Sequence, residues 1–549
     1  MKLNSKLYLL TGIFVLVNLI QSVLTPISVD EAYYWVWSQH LDWGYFDHPP
    51  MTALWDALGY SIFGGTIGIR FVAVLMNGFA LILLWKILKP KTIRQFWLFV
   101  ILSGSTVVFQ IFGFISTPDS PLLFFSLLYL FAFKKFLQKD SVFNLIFLAV
   151  SMAGLMYSKY HGLLLILFTM LPIIGRLIRN PKFFLVVLIS LILYLPHLIW
   201  IYNHDFVPVH YHFQDRSGDK QFKPERLLNY PLVFFLGMSP LISWFSIKSL
   251  FGFKPKDDFG KSLKWLVVLT GIFFLFTLYK ENVQPQWLLI TFVAMMIICY
   301  EYYSENEFSN WLFKLGFAGI FLILIVRIGL ILPSTSPFSI NLNFADELKS
   351  RNIDHALFEK YQEASVFLFY NPDKKASVHR TLGNRENQFT LWDWEDEFYG
   401  QTVNYISPWI RSEDSIKAYK DKEYYIKEIP DYITFYKLKI QAENQFESAA
   451  GDSIRLKINL SNGHRHPLII GGDSELRLNI SYYSRKQYDV VYSTEIKIEK
   501  LRLKPGEEKE MEVGFENISE VGNFKAAFGI HYIKIGTTYV SDPVEIISK

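Results

Sequence analysis

Apolar segments of membrane-spanning length recur through the first 332 residues, and this feature restricts the fold more than any other. A helix needs about 20 mostly apolar residues to cross the hydrocarbon core of a bilayer. About eleven such segments are predicted, at roughly 7–25, 66–88, 95–115, 120–137, 142–158, 161–178, 183–202, 229–250, 263–279, 286–302 and 311–332. The pattern therefore predicts an all-α polytopic membrane domain over residues 1–335.

The composition supports a membrane protein and excludes several other classes. Of 549 residues, 51% are hydrophobic and only 19% are charged, which is too apolar for a soluble globular chain of this length. The net charge of +4 indicates no nucleic-acid partner. Cys299 is the single cysteine, so the chain has no internal disulfide and no metal site built from cysteines.

The lysines and arginines of the short loops predict the orientation. The first segment follows Lys2 and Lys6, is too long for a signal-peptide core and lacks a small-x-small cleavage site, so we expect a retained helix. With the N-terminus inside, the inner loops carry more than twice as many lysines and arginines as the outer ones, as the positive-inside rule requires. Glu301, Glu305 and Glu307 also fall inside in this arrangement. Eleven spans then place everything after Ser334 outside.

The polar character of the chain after residue 341 predicts two further domains outside the membrane. Residues 341–440 combine a helical stretch with short strand-like pieces such as 365–370, which indicates a small α/β domain. In residues 441–549 apolar and polar residues alternate in short runs separated by turn signals. This spacing is typical of an immunoglobulin-like β-sandwich.

The most informative motif follows the first span and contains Asp30 and Glu31 among aromatic residues. Ionisable groups at a membrane surface indicate a functional site. The alternative is structural, because Ser28-x-x-Glu31 fits a capping box and the aromatics fit an interfacial belt. A cap needs only one acid, so Asp30 is predicted to be left for the substrate.

Asp47 and His48 precede two prolines that stiffen the backbone. We expect His48 to bind a lipid phosphate and Asp47 to position a sugar or an acceptor. The alternative is a turn that starts a helix, with Asp47 as its N-cap.

Four further groups fall on the predicted outer side or inside the last span. Asp119 either starts a helix as a dipole partner or acts on substrate. Lys159 and Tyr160 suit a polyprenyl phosphate, although a lone lysine there could simply extend its ammonium to the interface. Arg327, within the last span, needs either an ionic partner or an aqueous cavity, and lipid-phosphate contact is one alternative.

The predicted outer loop 203–229 is rich in histidine and charge. His210 and His212 have the spacing of two metal ligands on one strand, but no third ligand is fixed by the sequence, so no metal is predicted. We expect His210, His212 and Arg216 to belong to a flexible substrate loop.

Five motifs occur in an order that resembles the GT-C glycosyltransferases, in particular the bacterial branch of the protein O-mannosyltransferase-like family (glycosyltransferase family 39 and relatives, among them the lipid A aminoarabinose transferases). The resemblance covers about residues 5–335, and Arg380 to Trp392 is similar to the outer tail of the family. Asp47-His48 stands where the aminoarabinose transferases have Glu-Lys, which leaves the donor sugar open. The motifs are Asp30 to Trp35, Tyr45 to Pro50, Thr117 to Pro121, Ser158 to Tyr160 and Gln284 to Trp287.

The resemblance implies an inverting hexosyl- or pentosyltransferase of the bacterial inner membrane. Its donor would be a polyprenyl-phosphate sugar and its acceptor an envelope lipid, glycan or protein, with no certain cofactor and a divalent metal not indicated. Asp30 would be the general base, with Glu31, Asp47 and Asp119 in the same catalytic group. His48, Lys159, Tyr160 and Arg327 would hold the phosphate. The alternative is a transporter or flippase of lipid-linked sugars, which often shows internal repeats and charges at the bilayer midplane. Here the charges gather at one rim and no repeat stands out, so we favour an enzyme.

Overall fold

A computed structural model of the protein divides into two compact units, Met1–Leu342 and Asn343–Lys549. The structure describes residues 3–212, 223–306, 310–379, 386–417, 423–443, 445–483, 490–541 and 543–549.

The described residues of the first unit form helices joined by loops, and no strand occurs among them. Short 3₁₀ turns at Leu171–Ile173 and Pro285–Leu288 join or extend helices. The α-helices are α1 (Leu3–Leu24), α2 (Val29–Ser38), α3 (Met51–Tyr60), α4 (Gly65–Leu88), α5 (Ile93–Ser105), α6 (Val107–Ile111), α7 (Asp119–Gln138), α8 (Val142–Ser158), α9 (His161–Met170), α10 (Ile174–Leu177), α11 (Pro181–Asn203), α12 (Val207–His210), α13 (Pro224–Met238), α14 (Ser243–Gly252), α15 (Asp258–Thr277), α16 (Leu289–Glu305) and α17 (Asn310–Ile331).

The membrane character of this unit is confirmed, but the predicted count of about eleven spans is not. Within the described residues, seven helices are long and apolar enough to cross a membrane, or eight if the pair α13 and α14, bent by 99°, counts as one span. The helix α8 and the segment His161–Leu177 are apolar but shorter.

The predicted span 95–115 is interrupted at residues 105–106. Ser105 and Thr106 each donate a side-chain hydrogen bond back to the carbonyl four residues earlier, and Thr106 has an extended backbone. Such bonds compete with the helical ladder and bend or end helices. Helix α5 therefore ends at Ser105 and α6 begins at Val107.

Ion pairs link the loops that were predicted to lie inside. They place Glu301 and Glu305 beside lysines, while Glu307 lies outside the described residues. The loops that were predicted to lie inside therefore meet at one end of the helical unit. The pairs are Lys134–Glu301 (3.9 Å), Lys182–Asp140 (3.2 Å), Lys256–Glu305 (2.5 Å) and Arg176–Asp258.

Which end faces the cytoplasm is a prediction that cysteine labelling tests. In a Cys299→Ser background, Lys500→Cys should react with an impermeant maleimide added outside spheroplasts, and Lys256→Cys should react only after permeabilisation. Both lysine side chains are exposed, at 56% and 72%, so burial does not limit labelling. Reaction of residue 256 from outside, or protection of residue 500, would overturn the orientation.

The second unit begins with a mixed α/β sheet. Its strand order is β2-β1-β3-β5-β4, with β1 parallel to β2 and β3 and with β5 antiparallel to its neighbours. Helix α18 (Ser339–Lys349) crosses the division between the two units. The elements that follow it are β1 (His355–Phe358), α19 (Tyr361–Tyr370), β2 (Lys375–Val378), α20 (Gln388–Leu391), β3 (Val403–Ser407), β4 (Ser415–Lys417) and β5 (Glu423–Ile429).

The strand-like reading of residues 365–370 is wrong, because they belong to helix α19. Residues 364–369 are all buried, and only Ser365 among them is polar, so this short run has no period that distinguishes a strand from a helix.

The remainder of the second unit consists of two sheets. The larger has the order β12-β9-β10-β14-β16-β7, with β11 paired to β10 and β15 to β14, and the smaller has the order β13-β8-β6. The strands are β6 (Leu438–Gln441), β7 (Gln445–Ser448), β8 (Ser453–Asn462), β9 (Leu468–Ile470), β10 (Leu476–Tyr483), β11 (Val490–Glu495), β12 (Leu501–Leu503), β13 (Glu508–Glu516), β14 (Gly522–Tyr532), β15 (Gly536–Tyr539) and β16 (Val544–Ser548).

One apolar core joins both sheets and the α/β part. Burial alternates along β8, as the period of its sequence predicts, and Phe515 of β13 contacts Phe528 of β14. Val403 and Tyr405 of the α/β sheet lie in the same core. The sheet-rich character of this region is confirmed, whereas the immunoglobulin-like topology and a domain boundary at residue 440 stay predictions.

Candidate active site

The first motif forms helix α2, which starts with the predicted capping box. The Ser28 hydroxyl accepts a hydrogen bond from the Glu31 N–H (3.2 Å), and the Glu31 carboxylate accepts one from the Ser28 N–H (3.1 Å). Two otherwise unsatisfied donors of the first turn are paired in this way. The cap fixes the first turn of the helix, which carries Asp30.

Glu31 has further partners that the sequence did not indicate. Arg70 of α4 donates from Nε and Nη2 to its two carboxylate oxygens at 2.7 Å each, and the Ser116 N–H donates to Oε1 at 3.0 Å. Both charged side chains are fully buried. This geometry favours a structural role for Glu31 over direct contact with substrate.

Arg70 also stabilises the end of the first span. Its guanidinium donates to the carbonyls of Ser22, Thr25 and Pro26. A cation at a helix C-terminus satisfies carbonyls that have no partner in the helix and complements the helix dipole. The ion pair therefore joins the end of α1 to the starts of α2 and α4. Asp30, next to Glu31, has an exposed side chain on this fixed turn.

Asp56 is a buried acid that sequence reasoning missed. It lies on α3 and accepts a hydrogen bond from the Ser116 hydroxyl, so Ser116 connects it to Glu31. Burial raises the pKa of the Asp56 carboxyl well above its usual value, against the opposing effect of the Ser116 bond. A lone acid in the apolar run 51–60 was the available signal.

The loop between α2 and α3 is held against the end of α11. The Trp200 indole donates to the Asp42 carboxylate (2.7 Å), and Nδ1 of His197 lies 2.6 Å from the Trp43 carbonyl. A Cβ at Gly44 would lie 2.4 Å from the Trp200 ring, so this close approach requires glycine. The loop that carries the second motif is therefore fixed in position.

Asp47, His48, Tyr160 and His212 come together in one cluster. Asp47 is buried, and its carbonyl lies 3.0 Å from Nε2 of His212. The His212 ring lies 6.3 Å from that of His48 and 5.4 Å from that of Tyr160. Burial raises the pKa of the Tyr160 hydroxyl, to which the neighbouring Asp47 charge contributes, so the phenol stays protonated.

The structure describes only one of the other two residues of the predicted substrate loop. His210 lies on the short helix α12 with an exposed side chain. Arg216 lies outside the described residues, so its predicted place in the loop is unchanged.

Asp119 and Lys159, which the sequence suggested for different tasks, form a buried ion pair. The Lys159 ammonium donates to both Asp119 carboxylate oxygens, at 2.8 and 2.9 Å. Each side chain is only 7% exposed. An ammonium has three donors, so the pair accounts for two of them. Asp119, the first residue of α7, thereby fixes the position of the Lys159 ammonium.

Arg327 links the last span to the rest of the unit. Its Nη2 donates to the Asn18 side-chain oxygen and to the Gln110 carbonyl, both at 2.6 Å, and the guanidinium lies 5.2 Å from the Phe114 ring centre. In the described part of the chain, its hydrogen-bond partners are an amide oxygen and a carbonyl rather than a carboxylate. The described residues therefore do not show the predicted ion pair, and contact of Arg327 with a lipid phosphate stays a prediction.

A cavity of about 460 Å³ opens next to the cluster. Apolar side chains such as Leu163 and Phe273 form the wall of the cavity. Its polar lining includes Tyr160, His212, Lys280 and Glu281. Trp287, from the last predicted motif, also lines it. Pockets of this kind bind a ligand by apolar surface and orient it with a few polar groups. An amphiphilic ligand with a polar head would match this lining.

Comparison with known proteins agrees with the resemblance seen in the motifs. Residues 47–200 match the family described as dolichyl-phosphate-mannose-protein mannosyltransferase. The chain is also 25% identical over 298 residues to the lipid A galacturonosyltransferase RgtD of Rhizobium johnstonii, an alignment that covers 50% of this chain. The chain spans 60% of the length of that curated relative.

The fold is similar to that of ArnT from Cupriavidus metallidurans. The apo structure superposes with a TM-score of 0.52 at 12% identity and covers 77% of this chain and 98% of ArnT. The structure bound to undecaprenyl phosphate gives a TM-score of 0.54 at 13% identity, with 77% and 97% covered. The predicted resemblance is therefore confirmed.

Proposed function

We propose that the chain is a membrane glycosyltransferase of the GT-C type. Its similarity to the protein O-mannosyltransferase family over residues 47–200, to a lipid A galacturonosyltransferase, and in fold to ArnT supports this proposal. Its donor is a polyprenyl-phosphate sugar, and its acceptor is an envelope molecule on the outer face of the inner membrane. The observation that carries this proposal is the exposed Asp30, on a turn fixed by the buried Glu31–Arg70 pair.

The proposed reaction is a single displacement at the anomeric carbon. The acceptor hydroxyl oxygen attacks that carbon, and its proton moves to the Asp30 carboxylate, which acts as general base. The bond between the anomeric carbon and the phosphate oxygen breaks, and the polyprenyl phosphate leaves with the electron pair. Attack from the opposite side inverts the configuration. Phosphate is a good leaving group without protonation, so the step as written needs no cofactor.

The leaving phosphate needs hydrogen-bond donors and positive charge. Lys159 supplies an ammonium whose position is fixed by Asp119, and Tyr160 supplies a protonated phenol. His48 belongs to the same cluster, because its ring lies next to that of His212. We assign these three groups to the phosphate, Asp47 to the sugar or acceptor, and the apolar wall of the neighbouring cavity to the first isoprene units.

The Lys159–Asp119 pair allows chemistry to be separated from folding. Lys159→Met should lower transfer by roughly ten- to hundredfold, the value of a hydrogen bond to a charged group. It also leaves Asp119 buried and unpaired, which destabilises the fold. The double variant Lys159→Met/Asp119→Leu removes the buried charge as well. We expect it to recover thermal stability in detergent but not transfer.

The matched control is Lys182→Met, which breaks the half-exposed pair with Asp140 at the other end of the unit. It should change neither the transfer rate nor the thermal stability appreciably. Recovery of full transfer by the double variant would show that Lys159 has only a structural role.

Mass spectrometry of envelope lipids and glycans from a deletion strain tests the proposed function. We expect one species to lose the mass of a single sugar, and wild-type protein but not Asp30→Asn to restore it. An unchanged envelope, under growth conditions in which the protein is expressed, would contradict the proposal.

A further inference from the structure

A second cavity, of about 410 Å³, lies within the second unit. It opens beside the 3₁₀ helix Asp393–Phe398 and the turn that connects β8 to β9. None of the proposed catalytic residues contributes to it. Its lining consists of Trp394, Asp396, Glu397, Tyr399, Arg465 and His466.

Aromatic rings form one part of this lining. Tyr399 is 41% exposed, and its ring stacks on the imidazole of His466 with 3.7 Å between ring centres. Trp394 stacks on Trp392 with 4.4 Å between centres and an interplanar angle of 16°. Each stacked partner fixes the orientation of the Tyr399 or Trp394 ring by packing against one of its faces. The faces of aromatic rings are apolar and partly negative, which suits the C–H groups on one face of a pyranose.

Two polar groups of the lining, Asp396 and His466, are held in defined orientations by hydrogen bonds. The Asp396 carboxylate accepts hydrogen bonds from Nδ1 of His464 (2.7 Å) and from the Lys437 ammonium (2.8 Å). Burial raises the pKa of Asp396, but these two bonds outweigh it and keep that pKa below its usual value. Nε2 of His466 donates to the Thr434 carbonyl (3.0 Å). The lining therefore presents an ionised carboxylate, which accepts hydroxyl hydrogen bonds, beside the guanidinium of Arg465, which donates them.

Asp396, His464 and His466 also have the spacing of metal ligands, with their nearest donor atoms within 4.8 Å of one another. Two contacts argue against a metal. Nε2 of His464 accepts the Lys437 N–H at 2.9 Å, so the proton of this imidazole is on Nδ1, facing Asp396. The Lys437 ammonium already occupies the cation position at the carboxylate. A hydrogen-bonding ligand fits this arrangement better than an ion.

We propose that this cavity is a saccharide-binding site that takes a pyranose unit against Tyr399 and Trp394 and binds its hydroxyls through Asp396, Glu397 and Arg465. Aromatic surface next to fixed charged hydrogen-bonding groups is the chemistry that recognises a sugar, which is apolar on its faces and polar at its edge. The site binds the glycan part of the acceptor. Only this last assignment rests on the proposed function.

Binding of full-length protein in detergent to an array of bacterial mono- and oligosaccharides tests the inference. The array should be probed in EDTA with the Asp30→Asn variant, so that neither metal nor turnover contributes. We expect retention on at least one pyranose-containing glycan. Tyr399→Ala and Trp394→Ala should each lower binding about tenfold or more, as the loss of one stacking contact and its buried area predicts.

Two variants control for folding and for nonspecific aromatic effects. Tyr399→Phe keeps the ring and should retain most of the binding. Trp409→Ala removes an indole that is 76% exposed and does not line the cavity, and it should change nothing. Equal binding by wild type, Tyr399→Ala and Trp394→Ala would overturn the inference, as would no binding to any glycan.

Binding that appears only with added Zn²⁺ and disappears in EDTA would replace the saccharide site by a metal site. Failure of the proposed function gives a different result. If the protein transfers no sugar but its glycan binding still depends on Tyr399, the result supports the saccharide site and contradicts only its assignment to the acceptor.

Discussion

Asp30→Asn is expected to abolish sugar transfer while the protein still folds and binds its donor. A positioned general base contributes about 10²–10⁴-fold to a rate, so we expect a loss of at least about 100-fold. Asparagine has nearly the same shape but cannot take the proton of the acceptor hydroxyl. The side chain is exposed at the start of α2 and is not part of the buried core, so stability should change little. Initial rates with purified protein and a polyprenyl-phosphate sugar measure the effect.

The matched control is Asp140→Asn, at the opposite end of the helical unit, where a half-exposed carboxylate pairs with Lys182. Its rate should equal that of the wild type. Near-wild-type turnover by Asp30→Asn would exclude Asp30 as the base. Glu31→Gln should behave differently from Asp30→Asn, because its main loss is the ion pair with Arg70, and stability should fall more than the rate per folded molecule.

Arg70→Met is expected to produce the largest loss of stability in the membrane unit. Removal of one partner from a buried ion pair costs about 3–5 kcal/mol, because the other charge stays buried without compensation. Here Glu31 would lose two charge-assisted bonds of 2.7 Å, and three carbonyls at the end of α1 would lose their donor. The thermal unfolding midpoint in detergent, followed by size-exclusion chromatography, reports the effect.

Arg176→Met provides the comparison, because it removes the same side chain from an exposed pair with Asp258. Exposed pairs contribute about 0–1 kcal/mol, so its midpoint should hardly move. Combining Arg70→Met with Glu31→Leu should recover part of the lost stability, since no buried charge then remains. Equal midpoints for Arg70→Met and Arg176→Met would contradict the structural role given to the Glu31–Arg70 pair.

Local rules made part of this site predictable. Ser28-x-x-Glu31 is a pattern of four residues, and the structure confirms the cap that it predicts. The same sequence could not show that Arg70, 39 positions from Glu31, satisfies the same carboxylate. Asp119 and Lys159 were likewise assigned separate tasks, although they form one ion pair across 40 positions. Such pairs depend on how helices pack, which hydropathy does not encode.

The errors in the predicted fold have the same origin. Hydropathy identified the membrane unit but did not detect the break after Ser105, where two side-chain hydroxyls compete for helix carbonyls. Residues 364–369 are all buried, so their burial has no period that distinguishes a helix from a strand, and the sequence pattern alone could not assign them to helix α19. Asp56 was overlooked because no short motif contains it, although burial and Ser116 connect it to Glu31.

The central claim is that the protein transfers a sugar from a lipid phosphate to an acceptor, with Asp30 as the general base. Proteoliposomes that contain purified protein, a radiolabelled polyprenyl-phosphate sugar and an envelope extract as the source of acceptor test it most directly. Wild-type protein should release unlabelled polyprenyl phosphate and transfer the label, with inverted anomeric configuration, to a new product, and Asp30→Asn should do neither. Movement of the intact labelled lipid across the bilayer, without cleavage and at equal rates for both proteins, would contradict this account and identify a transporter.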